Sequence, residues 1–388
     1  METKKIQFVL VSEQPTPNLS PLVDASLKPD EVVLVTTPEQ VKSGRAEWLA
    51  EVIKTKGIAV HFAPISTAWE HEIIKNELEE QVSQFRGDNV QLVFNITGGT
   101  KLMSIAAYEL FFFDDIGEVF YVQNDTAYWI HSSKEGKVKS QPLEDRLKLN
   151  DFLTAHGANI KEMDKRGTPG SVKELGESWL DRAEMQSGYI RKLNGYAFDA
   201  ERKLKVSLKE EDYEDQELIV LINELEIAGM VSLEGKELIF KNEAARFFVN
   251  GGWLEEVIYN QLQKLFKEEA ISVQDMAKNV LFAWKGENKE TDAKNELDIA
   301  FLYKNRLHII ECKTKVMTRN DNDVSDALNK LNTLKQKAGG LASKAMLISY
   351  QEVRKNDKER ADLMGVKLCD KRGLKSLKSH LKKFINED

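Results

Sequence analysis

Cysteine is almost missing: Cys312 and Cys369 are the only two in 388 residues, which excludes a disulfide-stapled scaffold and fits a reducing compartment. Proline is scarce at 8, so proline-rich and collagen-like architectures are excluded as well. No apolar run approaches the roughly 18 residues that would cross a bilayer. The stretch Ile6–Val11 is also too short for the core of a secretion signal. A cytoplasmic protein with no membrane partner is expected. Excess positive charge is lacking too, with 55 Lys and Arg against 63 Asp and Glu and a net charge of −8.

What is present is an ordinary globular composition, 41% hydrophobic and 30% charged, in a chain long enough for two or three domains. The charge is unevenly divided. Residues 301–388 hold 20 Lys and Arg against 11 Asp and Glu, a balance of +9, which leaves −17 for the first 300. The acidic average therefore does not exclude a nucleic-acid partner, because it conceals a basic C-terminal segment that includes Lys371–Lys383.

Short β-rich runs alternate with longer amphipathic ones in the N-terminal third. Ile6–Val11, Val32–Val35, Ile58–Phe62, Val90–Phe94 and Glu118–Val122 read as strands. Pro38–Thr55, Trp69–Phe85 and Thr100–Phe113 read as helices between them. That order predicts an α/β, Rossmann-like parallel sheet over residues 1–140. Residues 141–250 read as a mainly helical connector with a Gly167-Thr-Pro-Gly170 interruption. A helix over Glu217–Met230 followed by a hairpin over Val231–Phe240 makes part of it winged-helix-like. Residues 251–388 form a third unit, with the order α, three β, α, β.

Two clusters carry chemistry. In the third unit, strands Glu296–Tyr303 and Arg306–Lys313 flank Lys304-Asn305, a two-residue turn in which Asn305 tolerates positive φ. A hairpin turning there pairs residues whose numbers sum to 609, so Asp298 opposes Glu311 and Glu296 opposes Lys313. Opposed carboxylates repel, and a divalent cation between them turns that liability into a binding site. Oxygen ligands favour Mg²⁺ or Mn²⁺ over zinc, for which no Cys/His cluster exists. Lys313, on the same face as Glu311, is placed to stabilise charge on a phosphate. In the first unit, Asn95-Ile-Thr97-Gly98-Gly99-Thr100-Lys101 follows a strand and opens a helix. Backbone N–H groups at such a turn suit an anion, although tight βα turns also use glycine for conformation alone. The turn is neither a Walker A loop nor GxGxxG, so ATP hydrolysis and dinucleotide redox chemistry lose support.

Asp298 followed by Glu311-Cys312-Lys313 in an α-β-β-β-α-β order resembles the PD-(D/E)xK restriction-endonuclease-like superfamily, with Leu297 in place of the motif's proline. The resemblance covers about residues 251–350. It implies catalytic Asp298, Glu311 and Lys313, with metal ligands Asp298 and Glu311 and a further Glu on the first helix. Gly251-Gly-Trp-Leu254-Glu255 favours Glu255 for that role, with Glu256 as the alternative. Cys312 and His308 fall on the opposite face. The first 135 or so residues resemble a CARF domain, the CRISPR-associated Rossmann-like sensor of cyclic oligoadenylates. Asn95, Thr97, Gly98, Gly99, Thr100 and Lys101 match its signature turn. Ser12 and Gln14 match its other usual ligand position, and Thr36 and Thr37 are further candidates.

The whole chain is similar to the CARF-nuclease effectors of type III CRISPR systems. That similarity implies a cytoplasmic homodimer with one two-fold site for cyclic tetra-adenylate. It also implies a metal-dependent endonuclease that cuts single-stranded DNA or RNA, or nicks duplex DNA, in antiviral defence. Two other readings differ in class. One is a ligand-sensing transcription regulator with a degenerate nuclease domain. Against it, the 217–240 segment has a lone Lys236 among five glutamates. The other is a restriction or repair nuclease under no cyclic-nucleotide control.

Overall fold

The structure, a computed structural model, describes residues 3–131, 140–144, 146–286, 295–314, 323–339 and 342–387. The first sheet is built outward from β1 (Lys4–Leu10). On one side lie β2 (Glu31–Thr36) and the edge strand β3 (Ala59–Pro64). On the other lie β4 (Val90–Asn95), β5 (Glu118–Gln123), β6 (Thr126–His131) and β7 (Ser140–Pro142). The first five pair in parallel. β2 carries the unbroken apolar run Val32–Val35, all fully buried, and β1 and β4 are mostly apolar, because helices cover both faces. β6 and β7 add antiparallel, so the sheet is mixed rather than wholly parallel. Pro38–Thr55 is two helices, Pro38–Lys42 and Arg45–Thr55, because Gly44 between them takes a left-handed φ of 78°. Since the chain leaves β1 in one direction and returns at β4 on the other side, the carboxyl ends of β1 and β4 flank a topological switch point.

The connector is less helical than its sequence suggests. β8 (Ala158–Asp164) leaves it and pairs antiparallel with β12 (Asp275–Trp284), at the edge of the second sheet. β9 (Lys205–Ser207), β10 (Val231–Glu234) and β11 (Glu237–Phe240) form a small antiparallel sheet beside the Gln216–Ile227 helix. That arrangement matches the expected helix and hairpin.

The second sheet runs β16-β15-β14-β13-β12-β8, using β13 (Asn295–Tyr303), β14 (Arg306–Lys313), β15 (Lys344–Ser349) and β16 (Val366–Cys369). Lys304 and Asn305 turn the β13–β14 hairpin with φ of 50° and 56°, and Ile299 pairs with Ile310, the expected register. Alternation sends Ile299, Phe301, Ile310 and Cys312 toward the Trp253–Glu268 helix. Ala300, Leu302, Leu307 and Ile309 face the opposite way, toward the Asp323–Gly339 helix. That second core is continuous with the first domain, since Leu49, Ile53 and Phe152 belong to the same cluster as Val280 and Phe282. No helix among the described residues is long and apolar enough to cross a membrane.

Candidate functional site

The β13–β14 ladder ends at Ile299–Ile310, and beyond that point β14 pairs with β15 through Glu311, Cys312 and Lys313. Asp298 stands where the two strands part. Its Oδ2 accepts the Cys312 N–H at 2.7 Å, replacing the lost ladder bond. Glu311 is 1% exposed and Asp298 6%. Glu311 Oε1 lies 2.6 Å from Lys313 Nζ and 3.6 Å from Lys330 Nζ. Its Oε2 is buried with no partner among the described residues. A cleft of about 510 Å³ opens over this pair, and Glu255, Glu311, Lys313 and Lys330 line it.

The structure separates the two candidate glutamates on the first helix. Glu255 faces the cleft. Glu256 turns away and meets Lys278 Nζ at 2.5 Å and the Thr168 hydroxyl. Burial, then the charge of Asp298 and that of Glu296, hold the Glu255 carboxyl well above the usual carboxylate range. Burial, then Glu311, push Asp298 up to about 7. Burial alone would pull the Lys313 ammonium down, but Glu311 and Asp298 outweigh it and hold it above its usual value. Two crowded acids with raised proton affinity, Glu255 and Asp298, beside one firmly charged lysine form the kind of electrostatic cluster that marks a candidate functional site.

Among the described residues, no three of His, Cys, Asp and Glu stand close enough to hold an ion as they are. The expected set of Asp298, Glu311 and Glu255 is thus not pre-assembled. Asp298 meets the Cys312 N–H and Glu311 meets Lys313. The donors nevertheless fit a hard divalent ion, because they are all carboxylate oxygens and Glu311 keeps a buried, orphaned one. Lys330 was not legible in the sequence: it reaches Glu311 from the Asp323–Gly339 helix, and nothing near it marks it out from other helical lysines. Cys312 lies on the opposite face, its thiol pushed well up by burial. His308 is there too, stacked on Phe301 at 4.6 Å.

At the switch point the structure redistributes roles within the expected ligand turn. Asn95 is fully buried. Its amide donates to the Pro17 carbonyl at 2.9 Å and accepts from the Thr97 N–H and hydroxyl at 3.1 and 2.5 Å. The Thr97 hydroxyl also accepts the Val122 N–H at 2.7 Å. The Thr100 hydroxyl caps its helix through the Met103 N–H and donates to Ala68. Thr36 and Thr37 are 1% and 7% exposed. The Asn95, Thr97 and Thr100 side chains hold the turn together through their own hydrogen bonds. Ser12, Gln14, Gly99 and Lys101 remain accessible. A Cβ at Gly98 would sit 2.0 Å from the Leu10 carbonyl oxygen. Gly98→Ala should therefore force β1 and the turn apart and lower stability by about 3 kcal/mol in urea titration.

The basic tail is more occupied than its charge suggests. Lys375, Lys378 and Lys382 pair with Glu184, Glu268 and Glu269 at 2.8, 2.6 and 2.7 Å. A phosphate-tracking surface along Lys371–Lys383 receives no support from this arrangement.

Fold and site together define a class: a Rossmann-like sensing domain joined in one chain to a restriction-endonuclease-like nuclease domain. Residues 6–152 match the Card1 CARF domain and residues 241–387 the Card1-like endonuclease domain. The chain belongs to the CARF endonucleases of the Card1 kind. Among solved structures it is similar to protein VC1899 from Vibrio cholerae, at 29% identity and a TM-score of 0.87 over 98% of each chain. Can2 from Sulfobacillus thermosulfidooxidans, solved in complex with cyclic tetra-adenylate, shares the fold at 23% identity and a TM-score of 0.79, over 98% of this chain and 99% of that one. A type III CRISPR defence DNA nuclease activated by cyclic oligoadenylate shares it at 18% identity and a TM-score of 0.58, over 90% of this chain and 46% of that one. A search of curated proteins finds no match.

Proposed function

We propose that this endonuclease is switched on by a cyclic oligoadenylate, cyclic tetra-adenylate in the first instance, and cleaves nucleic acid in CRISPR defence. The observation that carries the reading is one chain joining a cleft lined by Glu255, Glu311 and Lys313, with Asp298 buried beside Glu311, to a glycine turn at a Rossmann switch point. Glu255, Asp298 and Glu311 would hold Mn²⁺ or Mg²⁺. Such an ion supplies Lewis acidity toward a phosphodiester oxygen. Lys313, kept positively charged by Glu311, stabilises the charge that develops on the phosphate. Asp298 fixes the β14 backbone through the Cys312 N–H, so the two strands present their carboxylates at a set separation. Ser12, Gln14 and Lys101 meet the ring, with backbone N–H groups taking most of its negative charge.

A homodimer is part of the same proposal. The helix opened by Lys101 carries Ile105 and Phe112, exposed at 48% and 44%, on one face with Tyr108. An apolar stripe that starts at the ligand turn suits a second copy of the chain, and a ring on the two-fold axis then sets the relative rotation of both subunits. Phe112→Glu should give a monomer in light scattering and lose ring binding. The central test is cleavage of single- and double-stranded DNA and RNA by the purified chain, with Mn²⁺ or Mg²⁺ and with or without the ring. Cleavage should require both additions. Full activity without any ring would instead support an unregulated restriction or repair nuclease, and equal cleavage by Glu311→Ala would overturn the site.

A further inference from the structure

A second cleft, of about 640 Å³, adjoins the one over Glu311, and Phe247 and Gly252 line both. Phe247 therefore stands on the ridge between them. Its neighbours Ala245, Arg246, Phe248 and Val249 are all buried, whereas Phe247 itself is 44% exposed. The backbone beneath the ring is firmly held. The Arg246 guanidinium donates to the Ala197 carbonyl at 2.8 Å and pairs with Glu243. The Asn242 side chain accepts the Ala245 N–H at 2.9 Å and so caps the turn that leads to Phe247.

Phe248–Gly252 then forms one π-helical turn, in which Gly251 takes a φ of 128°. Single turns of this kind recur at functional sites. A Cβ at Gly251 would fall 2.4 Å from the Thr314 hydroxyl, and one at Gly252 would fall 2.4 Å from the Phe247 ring. The two glycines thus let the turn lie against the residue after Lys313. They also let the phenyl ring lie against the backbone that opens the Glu255 helix.

Beyond the ridge the lining suits a nucleobase. Pro169, Val172, Met230 and Phe248 supply apolar wall. Asn279 joins them from a bulge in β12, where the register with β8 shifts between Lys278 and Leu281 and Asn279 takes a φ of 50°. Bulges of this kind re-aim a side chain. Lys278 and Glu256 also line this cleft, but each already neutralises the other. Lys241 and Arg166, both exposed, complete the lining, Arg166 beside Asp164 at 2.9 Å. Cations next to an apolar wall suit a base and the phosphate that follows it. Resting on the nuclease reading of the Glu311 cleft, we propose that the base flanking the scissile phosphate leaves its strand, stacks on Phe247 and enters this second cleft. A paired base must first be unstacked to do so, which makes the double cleft selective for single strands. Stacking reads only a π-face, so the selection is tolerant of sequence.

Binding and cutting are read separately on the full chain. Fluorescence anisotropy follows a labelled deoxythymidine oligonucleotide on Glu311→Ala protein, with Mg²⁺ and cyclic tetra-adenylate present. Adding Phe247→Ala should weaken binding about tenfold. Phe247→Leu keeps apolar bulk against Gly252 but removes the π-face, and should weaken binding as much. Phe247→Tyr should keep the parent affinity, and a duplex of the same length should respond to none of the three. Cutting is read on protein with Glu311 intact, using a strand that carries one abasic nucleotide. This protein should cut the phosphodiester on one side of the abasic nucleotide about tenfold less than the others, and Phe247→Ala should cut all of them evenly. No binding of the oligonucleotide by the parent protein would overturn the proposal. So would parent affinity in Phe247→Leu, an equal loss on the duplex, or an abasic effect that persists in Phe247→Ala. Those results leave the nuclease reading standing. Absence of cleavage by the unaltered chain with metal and ring would overturn that reading instead, while anisotropy still tests the platform. Phe247→Leu carries the test on its own if Phe247→Ala proves unfolded by circular dichroism.

Discussion

Glu255→Gln and Glu256→Ala, neighbours on one helical turn, should fail in opposite ways. Glu255→Gln should lower single-turnover cleavage by about 10²-fold or more, because it removes a carboxylate from the cleft shared with Glu311 and Lys313. Its melting temperature should stay level or rise. Burial, then Asp298 and Glu296, disfavour the charged carboxylate there, so an uncharged amide suits the position at least as well. Glu256→Ala should do the reverse. It strands the Lys278 ammonium, which is 3% exposed and meets Glu256 at 2.5 Å. An unpaired buried charge of that kind costs about 3–5 kcal/mol. Cleavage per folded molecule should hardly change. Urea denaturation and single-turnover assays on both variants check the pair of outcomes, and full cleavage by Glu255→Gln would remove that residue from the site.

Acid should unfold the protein partly through two histidines outside both functional centres. Burial pulls His308 down to about 3, helped by the nearby Lys344 and Arg306 charges, and pulls His156 down to about 4. A histidine depressed in the folded state contributes stability that is complete above its unfolded value near 6.5. The contribution is lost as the pH falls toward the folded value. Between pH 7 and pH 5 each should account for about 2 kcal/mol of lost stability. Asp298 works in the opposite direction. With its carboxyl raised to about 7, the unfavourable contribution it makes near neutrality shrinks on acidification. The difference between the wild type and His308→Phe isolates the histidine. Phenylalanine keeps the stack on Phe301 at 4.6 Å and the edge contact with Phe384 at 5.4 Å. Chemical denaturation of the two proteins across that pH range should therefore diverge, and parallel curves would show that His308 does not titrate as described.

The proposed nuclease centre could be read from the sequence because its information is local. A two-residue turn fixes the register, period-two alternation assigns the faces, and Asp298, Glu311 and Lys313 all lie within one hairpin. The sensor turn was legible in place but not in role. Whether Asn95 or Thr97 faces outward depends on Pro17 and Val122, which the fold brings from other strands and loops. β8 was missed for a related reason. Ala158–Asp164 is half polar, as an edge strand can be, and its partner β12 begins more than 100 residues later. The cleft beyond Phe247 assembles from separate segments of the connector and the nuclease unit, and no single stretch announces it. Lys330 shows the same limit, since its relation to Glu311 exists only once the helix has packed.

The core shared by Leu49, Ile53, Phe152, Val280 and Phe282, together with β8 at the edge of the nuclease sheet, has a mechanical consequence. Removing residues 1–250 would bare one edge of β12 and strip apolar cover from that face of the sheet, inviting aggregation. Sensor and nuclease should therefore melt as a single calorimetric transition. A chain welded in this way has little slack within it. The motion that opens or closes the cutting centre then falls at the seam between two copies, where a symmetric effector has both in its grasp.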